Sequence, residues 1–145
     1  MPIVLVVDDE SQIRDLLARW IVAAGYEVRE AATAAAALED MQVAVADVVL
    51  CDVMLPGETG LSLTGKIREQ FPATAVVLVT AVRTVSPHIS MQPGVVAYLA
   101  KPFAREEVLN AVKLAVEWHL TALSDQKLGK PRAALPKEWV GSSGS

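Results

Sequence analysis

Four short apolar runs, each closed by a polar residue, and a fifth, more polar stretch from Tyr26 to Ala31 alternate along the chain with stretches whose apolar positions recur at helical intervals. Ile3-Val4-Leu5-Val6-Val7 is a continuous apolar run rich in β-branched residues, the pattern of a strand covered on both faces, and it stops on Asp8-Asp9-Glu10. From Ser11 the period becomes 3.6. Ile13, Leu16, Leu17, Trp20 and Ile21 fall on one face, Arg14, Asp15 and Arg19 on the other, and Gly25 marks the stop. Tyr26 to Ala31 reads as a second strand, and Thr33 can cap an Ala-rich helix running to about Gln42. A third buried strand, Val48-Val49-Leu50-Cys51, closes on Asp52, with Pro56, Gly57 and Gly60 in the turn beyond. Leu61, Leu63, Thr64, Ile67 and Phe71 predict a third helix, weakened by Gly65 and ended by Pro72. Ala75 to Val79 is a fourth strand, ending on Thr80. Residues 81–94 hold Pro87, Pro93 and Gly94, which leaves room for a turn or two of helix with Ser86 as cap and Pro87 at its first position. Val95 to Leu99 is a fifth strand leading to Lys101-Pro102. An amphipathic helix then runs from Arg105 to about Leu123 through Val108, Leu109, Val112, Leu114, Val116 and Leu120.

Strands that alternate with helices and carry almost no polar residues imply a parallel α/β sheet with helices on both faces, and right-handed crossovers favour a doubly wound, three-layer sandwich. Residues 1–123 are expected to form this one domain. Residues 124–145 turn polar and Pro-rich and are expected to be a linker or tail, with 141–145 resembling an expression scar. At 145 residues, 52% of them hydrophobic, the chain can bury a sizeable core. A net charge of −4 and a pI near 5.1, with no clustered basic face, argue against direct nucleic-acid binding. Cys51 is alone and lies in a buried strand, so no disulfide framework is expected and a reducing compartment fits. No apolar run approaches the roughly 18 to 20 residues that span a bilayer, and no leader pattern precedes the first strand, so a cytoplasmic protein that does not contact the membrane is expected.

The strand ends carry the chemistry. An acid there is often a turn former and nothing more. Here, however, Asp8 and Asp9 follow the first strand, Asp52 the third, Thr80 the fourth and Lys101 the fifth, and a doubly wound sheet with those strands side by side brings all of them to one crevice. Carboxylates about 4 Å apart repel by roughly 4 kcal/mol at an effective dielectric near 20, so the cluster needs a cation. Oxygen ligands without a His or Cys cluster point to a hard ion that keeps waters, Mg²⁺ rather than Zn²⁺ or Ca²⁺. A carboxylate beside such an ion can attack phosphorus, which makes Asp52 the candidate nucleophile, with Lys101 and Thr80 placed to meet phosphoryl oxygens.

Val7-Asp8-Asp9-Glu10, Asp52-Val53-Met54-Leu55-Pro56-Gly57-Glu58-Thr59-Gly60, Thr80-Ala81 and Tyr98-Leu99-Ala100-Lys101-Pro102-Phe103 together resemble the receiver domain of two-component response regulators, over about residues 1 to 121. The resemblance implies a flavodoxin-like (βα)5 fold with strand order 2-1-3-4-5. It implies a signalling module in which Asp52 accepts a phosphoryl group from a sensor histidine kinase or a phosphotransfer protein in a Mg²⁺-dependent reaction. Asp9 and Asp52 would bind the ion directly, Asp8 would assist, and the Met54 backbone carbonyl would be a further ligand. Thr80 and Tyr98 would form a switch pair that alters the face built from the fourth helix, the fifth strand and the fifth helix, and Lys101-Pro102 would be a cis peptide bond. Such a module is no enzyme beyond catalysing its own phosphorylation and slow autodephosphorylation; Met54 and Val82, both apolar, cannot orient an attacking water. The resemblance also makes a homodimer a partner to consider, but Val96-Ala97 stand where the family often has an acidic pair, which argues against dimerisation through a charged network on that face.

Two other readings compete. A haloacid-dehalogenase-like phosphohydrolase also combines Asp, Thr, Lys and Mg²⁺, but it places its nucleophile on the first strand with a second Asp two residues on, where this chain has Met54 after Asp52. A receiver-like interaction domain independent of phosphorylation is the third. His88 and His119 have no partner at metal-ligand spacing and read as surface or helix residues, Trp20 reads as core, and Trp118 either packs or lies exposed. Trp139 sits in the polar tail.

Overall fold

The structure is a computed structural model that describes residues 1–81 and 94–127. The short helix expected around Ser86 and Pro87, together with Val82, His88 and the tail with Trp139, lies outside the described residues. In chain order the elements are β1 (Ile3–Val7), α1 (Ser11–Ala23), β2 (Glu27–Ala31), α2 (Ala34–Val43), β3 (Val48–Asp52), α3 (Gly60–Gln70), β4 (Ala75–Thr80), β5 (Val95–Ala100) and α4 (Arg105–Lys127). The five strands form one parallel sheet in the order β2-β1-β3-β4-β5, as expected.

Alternate residues of each strand feed two separate cores. On one face Val4, Val6, Val48, Leu50, Val77 and Leu99 pack against Leu17 and Ile21 of α1 and Val108, Val112, Ala115 and Trp118 of α4. On the other, Leu5, Val7, Val49, Cys51, Leu78 and Tyr98 meet Ala34, Ala37 and Met41 of α2 and Leu63 and Ile67 of α3. Two-sided burial of this kind explains why β1, β3, β4 and β5 read as continuous apolar runs instead of alternating patterns, whereas the edge strand β2 is charged and partly exposed.

Local chemistry sets the helix ends. Gly25, at φ 101°, closes α1: its N–H donates to the Val22 carbonyl (3.0 Å) and that of Tyr26 to Ile21 (3.3 Å), a pairing that needs a left-handed residue. Thr33 and Thr59 accept from the N–H groups of Ala36 (3.0 Å) and Ser62 (3.1 Å), capping α2 and α3. Glu107 reaches back to the Ala104 N–H (2.8 Å) at the start of α4. That helix continues past Leu123 to Lys127, since no Pro or Gly interrupts Ser124-Asp125-Gln126-Lys127.

His119 lies on α4, one of the two places expected for it, but it is 7% exposed rather than at the surface, its Nδ1 2.7 Å from the Ala73 carbonyl and its Nε2 3.1 Å from Asp47, whose other oxygen accepts from the Ile3 N–H (2.7 Å). Leu120, placed by period on the apolar stripe, is 58% exposed. Trp118 packs in the core, with the Arg68 guanidinium 5.4 Å from its ring centroid.

Candidate phosphoacceptor site

Parallel register is what assembles the site. Val7 pairs with Cys51 and Asp52 with Val79, so the residues that follow β1, end β3 and end β4 emerge side by side at the carboxyl edge of the sheet. The Lys101 N–H donates to the Thr80 carbonyl (2.8 Å), which ties the β5 exit to the β4 tip. The Lys101-Pro102 bond is cis, as expected. Phe103 just beyond packs edge-on against Trp20 of α1, ring centroids 6.1 Å apart.

Asp8, Asp9 and Asp52 each offer a carboxylate oxygen within 4.8 Å of the others; Asp8 and Asp52 are buried and Asp9 is exposed. Lys101 Nζ donates to Asp52 Oδ2 at 2.8 Å and lies 3.6 Å from Asp8 Oδ2 and 3.7 Å from Glu10. Glu10 was not among the residues anticipated for the site; its place next to Lys101 depends on the turn after β1, which no spacing rule encodes. Asp52 Oδ1 accepts from the Met54 N–H (2.8 Å), which fixes the carboxylate from below. The Met54 side chain is 69% exposed. Thr80 is buried at the β4 tip. Since Leu78 pairs with Tyr98, and side chains two apart share a face, Thr80 and Tyr98 lie on the same side of the sheet. Tyr98 is already 1% exposed, so the ring is inside without any modification, and burial pushes its hydroxyl pKa up.

The electrostatics show a cluster short of positive charge. Burial raises the Asp8 carboxyl above its ordinary range, helped by the nearby charges of Asp52 and Glu10 and opposed by the Glu10 N–H and Lys101. For Lys101, burial works against the charge, but the hydrogen bond to Asp52 and the charges of Asp52, Asp8 and Glu10 outweigh it and raise its pKa. Among the described residues one ammonium lies against three carboxylates, those of Asp52, Asp8 and Glu10, and Asp9 adds a fourth acid to the group. An additional cation fits this donor set, and Asp8 Oδ2 supports it: the atom is fully buried without a hydrogen-bond partner. Because the folded pKa of Asp8 lies above the unfolded one, its contribution to stability is present below the ordinary value of 3.8 and is lost as pH rises through the raised value. In chelator at pH 7, Asp8→Asn is therefore expected to melt about 4 °C higher than wild type, on the order of 1 kcal/mol for a domain this size. Thermal unfolding should show the gap closing as pH falls toward 4; a gap of opposite sign would contradict this reading of the cluster.

Above the site, Gly60 opens α3 directly against the backbone of the phosphoacceptor candidate. Its N–H donates to the Val53 carbonyl (2.8 Å), and the buried Thr64 hydroxyl donates to its carbonyl (2.7 Å).

A family model described as "Response regulator receiver domain" matches residues 4–113, which takes in every residue of the cluster. The chain belongs to the response regulator receiver domains. Among curated relatives of this receiver domain, the DNA-binding transcriptional regulator NtrC of Escherichia coli K12 is 36% identical over 115 residues, covering 79% of this chain and 24% of that protein. Protein PetR of Rhodobacter capsulatus is 37% identical over 128 residues, covering 83% of this chain and 52% of that protein. The chain thus spans about a quarter to a half of these relatives. Among solved structures, the chemotaxis response regulator CheY4 of Vibrio cholerae has a TM-score of 0.72 at 32% identity, with 79% of this chain and 98% of that one covered. The receiver fold, its strand order and its place in two-component signalling follow. No helix among the described residues is long and apolar enough to cross a membrane.

Proposed function

We propose that Asp52 is the phosphoacceptor of this receiver domain, and that a sensor histidine kinase or a phosphotransfer protein supplies the phosphoryl group. The observation that supports this most is the pairing of a buried carboxylate with a buried-edge ammonium at 2.8 Å inside a cluster of further acids. An Asp52 carboxylate oxygen attacks phosphorus; the P–N bond to the phosphohistidine breaks, and its electron pair returns to the imidazole nitrogen, which takes up a proton. Asp8, Asp9 and Asp52 would hold Mg²⁺, with the Met54 carbonyl as a further ligand, and the bound ion would offset negative charge on the carboxylates and the phosphoryl oxygens.

Lys101 keeps its proton and moves with its charge from the carboxylate toward the incoming phosphoryl oxygens. Thr80 donates its hydroxyl to another of those oxygens. On the same sheet face, Tyr98 is held in the inward position, so phosphorylation secures an arrangement of the β4 and β5 edge that the unmodified protein can already visit. The exposed Met54 thioether cannot orient a water for attack, so the acyl phosphate decays slowly. No DNA-binding or membrane-binding role is assigned to this chain.

The test is incubation with a small phosphodonor such as acetyl phosphate and Mg²⁺, followed by intact-mass measurement. One phosphoryl group per chain is expected, and none when the metal is chelated first. Uptake that is indifferent to chelation, or no uptake at all, would refute the proposal.

A further inference from the structure

We infer that Arg14 is a positioning residue for the acidic cluster: it holds the turn after β1 so that the Asp8 carboxylate faces the cation position. The inference rests on the proposed reading of that cluster as a Mg²⁺ site. Asp8 is the deepest of the three acids, and its orientation is set by the Asp8-Asp9-Glu10 turn, in which Oδ1 accepts from the Glu10 N–H (2.9 Å) and leaves Oδ2 aimed into the pocket. Nothing at the start of α1 secures that turn from its own cap, because Glu10 makes no side-chain capping bond. Arg14 does so instead. From the first turn of α1 its Nη1 donates to the Asp8 carbonyl (2.7 Å), its Nε lies 3.5 Å from Glu30 on β2, and its own N–H donates to the Glu10 carbonyl (3.0 Å). The side chain is 19% exposed, and its rigid fork can bridge a carbonyl and a carboxylate at once, which a lysine ammonium on a flexible stem does poorly.

The sign of the effect separates this role from simple charge. A cation removed from the neighbourhood of a metal site should, on electrostatics alone, tighten binding of another cation. A positioning role gives the opposite result. Loss of a group that orients a ligand typically lowers metal affinity by about 10- to 100-fold.

The experiment is a Mg²⁺ titration by calorimetry of wild type, Arg14→Met, Arg14→Lys and Arg19→Met, with thermal unfolding of each in chelator. Arg14→Met is expected to bind about tenfold more weakly than wild type, and Arg14→Lys about threefold more weakly, although its charge is unchanged. Arg19→Met, which removes the same charge further along α1, should bind as wild type or slightly more tightly. Should Arg14→Met fail to fold in chelator, Arg14→Lys carries the test. Wild-type binding with undiminished affinity in the Arg14 variants overturns the positioning role, whereas a wild type that binds no Mg²⁺ overturns the reading of the cluster itself.

Discussion

Asp52→Asn is expected to take up no measurable phosphoryl group, a loss of at least about a thousandfold, while remaining folded. The substitution keeps the shape and keeps an oxygen to accept the Met54 N–H, so the β3 exit retains its backbone geometry. An amide, however, cannot serve as the nucleophile toward phosphorus. Two electrostatic changes oppose one another: Lys101 loses its 2.8 Å partner, but Asp8 and Glu10 remain within 3.7 Å and one like charge leaves the cluster. The net effect on stability should stay within about 1 kcal/mol. Intact mass after phosphodonor treatment, together with a urea unfolding curve, checks both halves. A variant that still accepts phosphate as wild type does would move the reaction away from position 52.

Gly60→Ala is expected to destabilise the domain by about 3 kcal/mol and to slow phosphoryl uptake at least about tenfold. A Cβ at this position would lie 2.2 Å from the Asp52 carbonyl oxygen and 2.9 Å from the Val53 Cα. Both are backbone atoms that cannot rotate aside. The start of α3 would have to retreat, stretching the Gly60 to Val53 hydrogen bond and disturbing the strand end that carries the Asp52 carboxylate. Gly65 provides the matched comparison within the same helix, because a Cβ there meets nothing within 4 Å. Gly65→Ala should stabilise the protein by about 0.5 to 1 kcal/mol through helix propensity alone and leave uptake unchanged. Equal behaviour of the two variants in urea denaturation would show that the close approach at Gly60 does not matter.

What was legible beforehand is what the backbone pattern encodes. Buried parallel strands announce themselves as β-branched runs, and the polar residues closing those runs mark the edge where β1, β3, β4 and β5 converge; Asp8, Asp9, Asp52 and Lys101 were found in this way. Hidden contacts were those made to main-chain atoms or across long sequence distances. His119 looked isolated because one partner is the Ala73 carbonyl, identical in every residue type, and the other, Asp47, is far along the chain. Arg14 looked like a solvated charge for the same reason, since it bonds to the Asp8 carbonyl. Glu10 reaches Lys101 only because the β1 turn folds it there. Leu120 fits the helical period, but the period cannot tell where the sheet beneath α4 ends, and its side chain projects to solvent.

The central claim is that one carboxylate, at the tip of β3, becomes the acyl phosphate. Borohydride reduction of the phosphodonor-treated protein converts a phosphorylated aspartate to homoserine, and peptide mass spectrometry then locates it. Homoserine at position 52 alone is the predicted result. Homoserine at Asp8 or Asp9, or labelled protein with an intact Asp52, would contradict it.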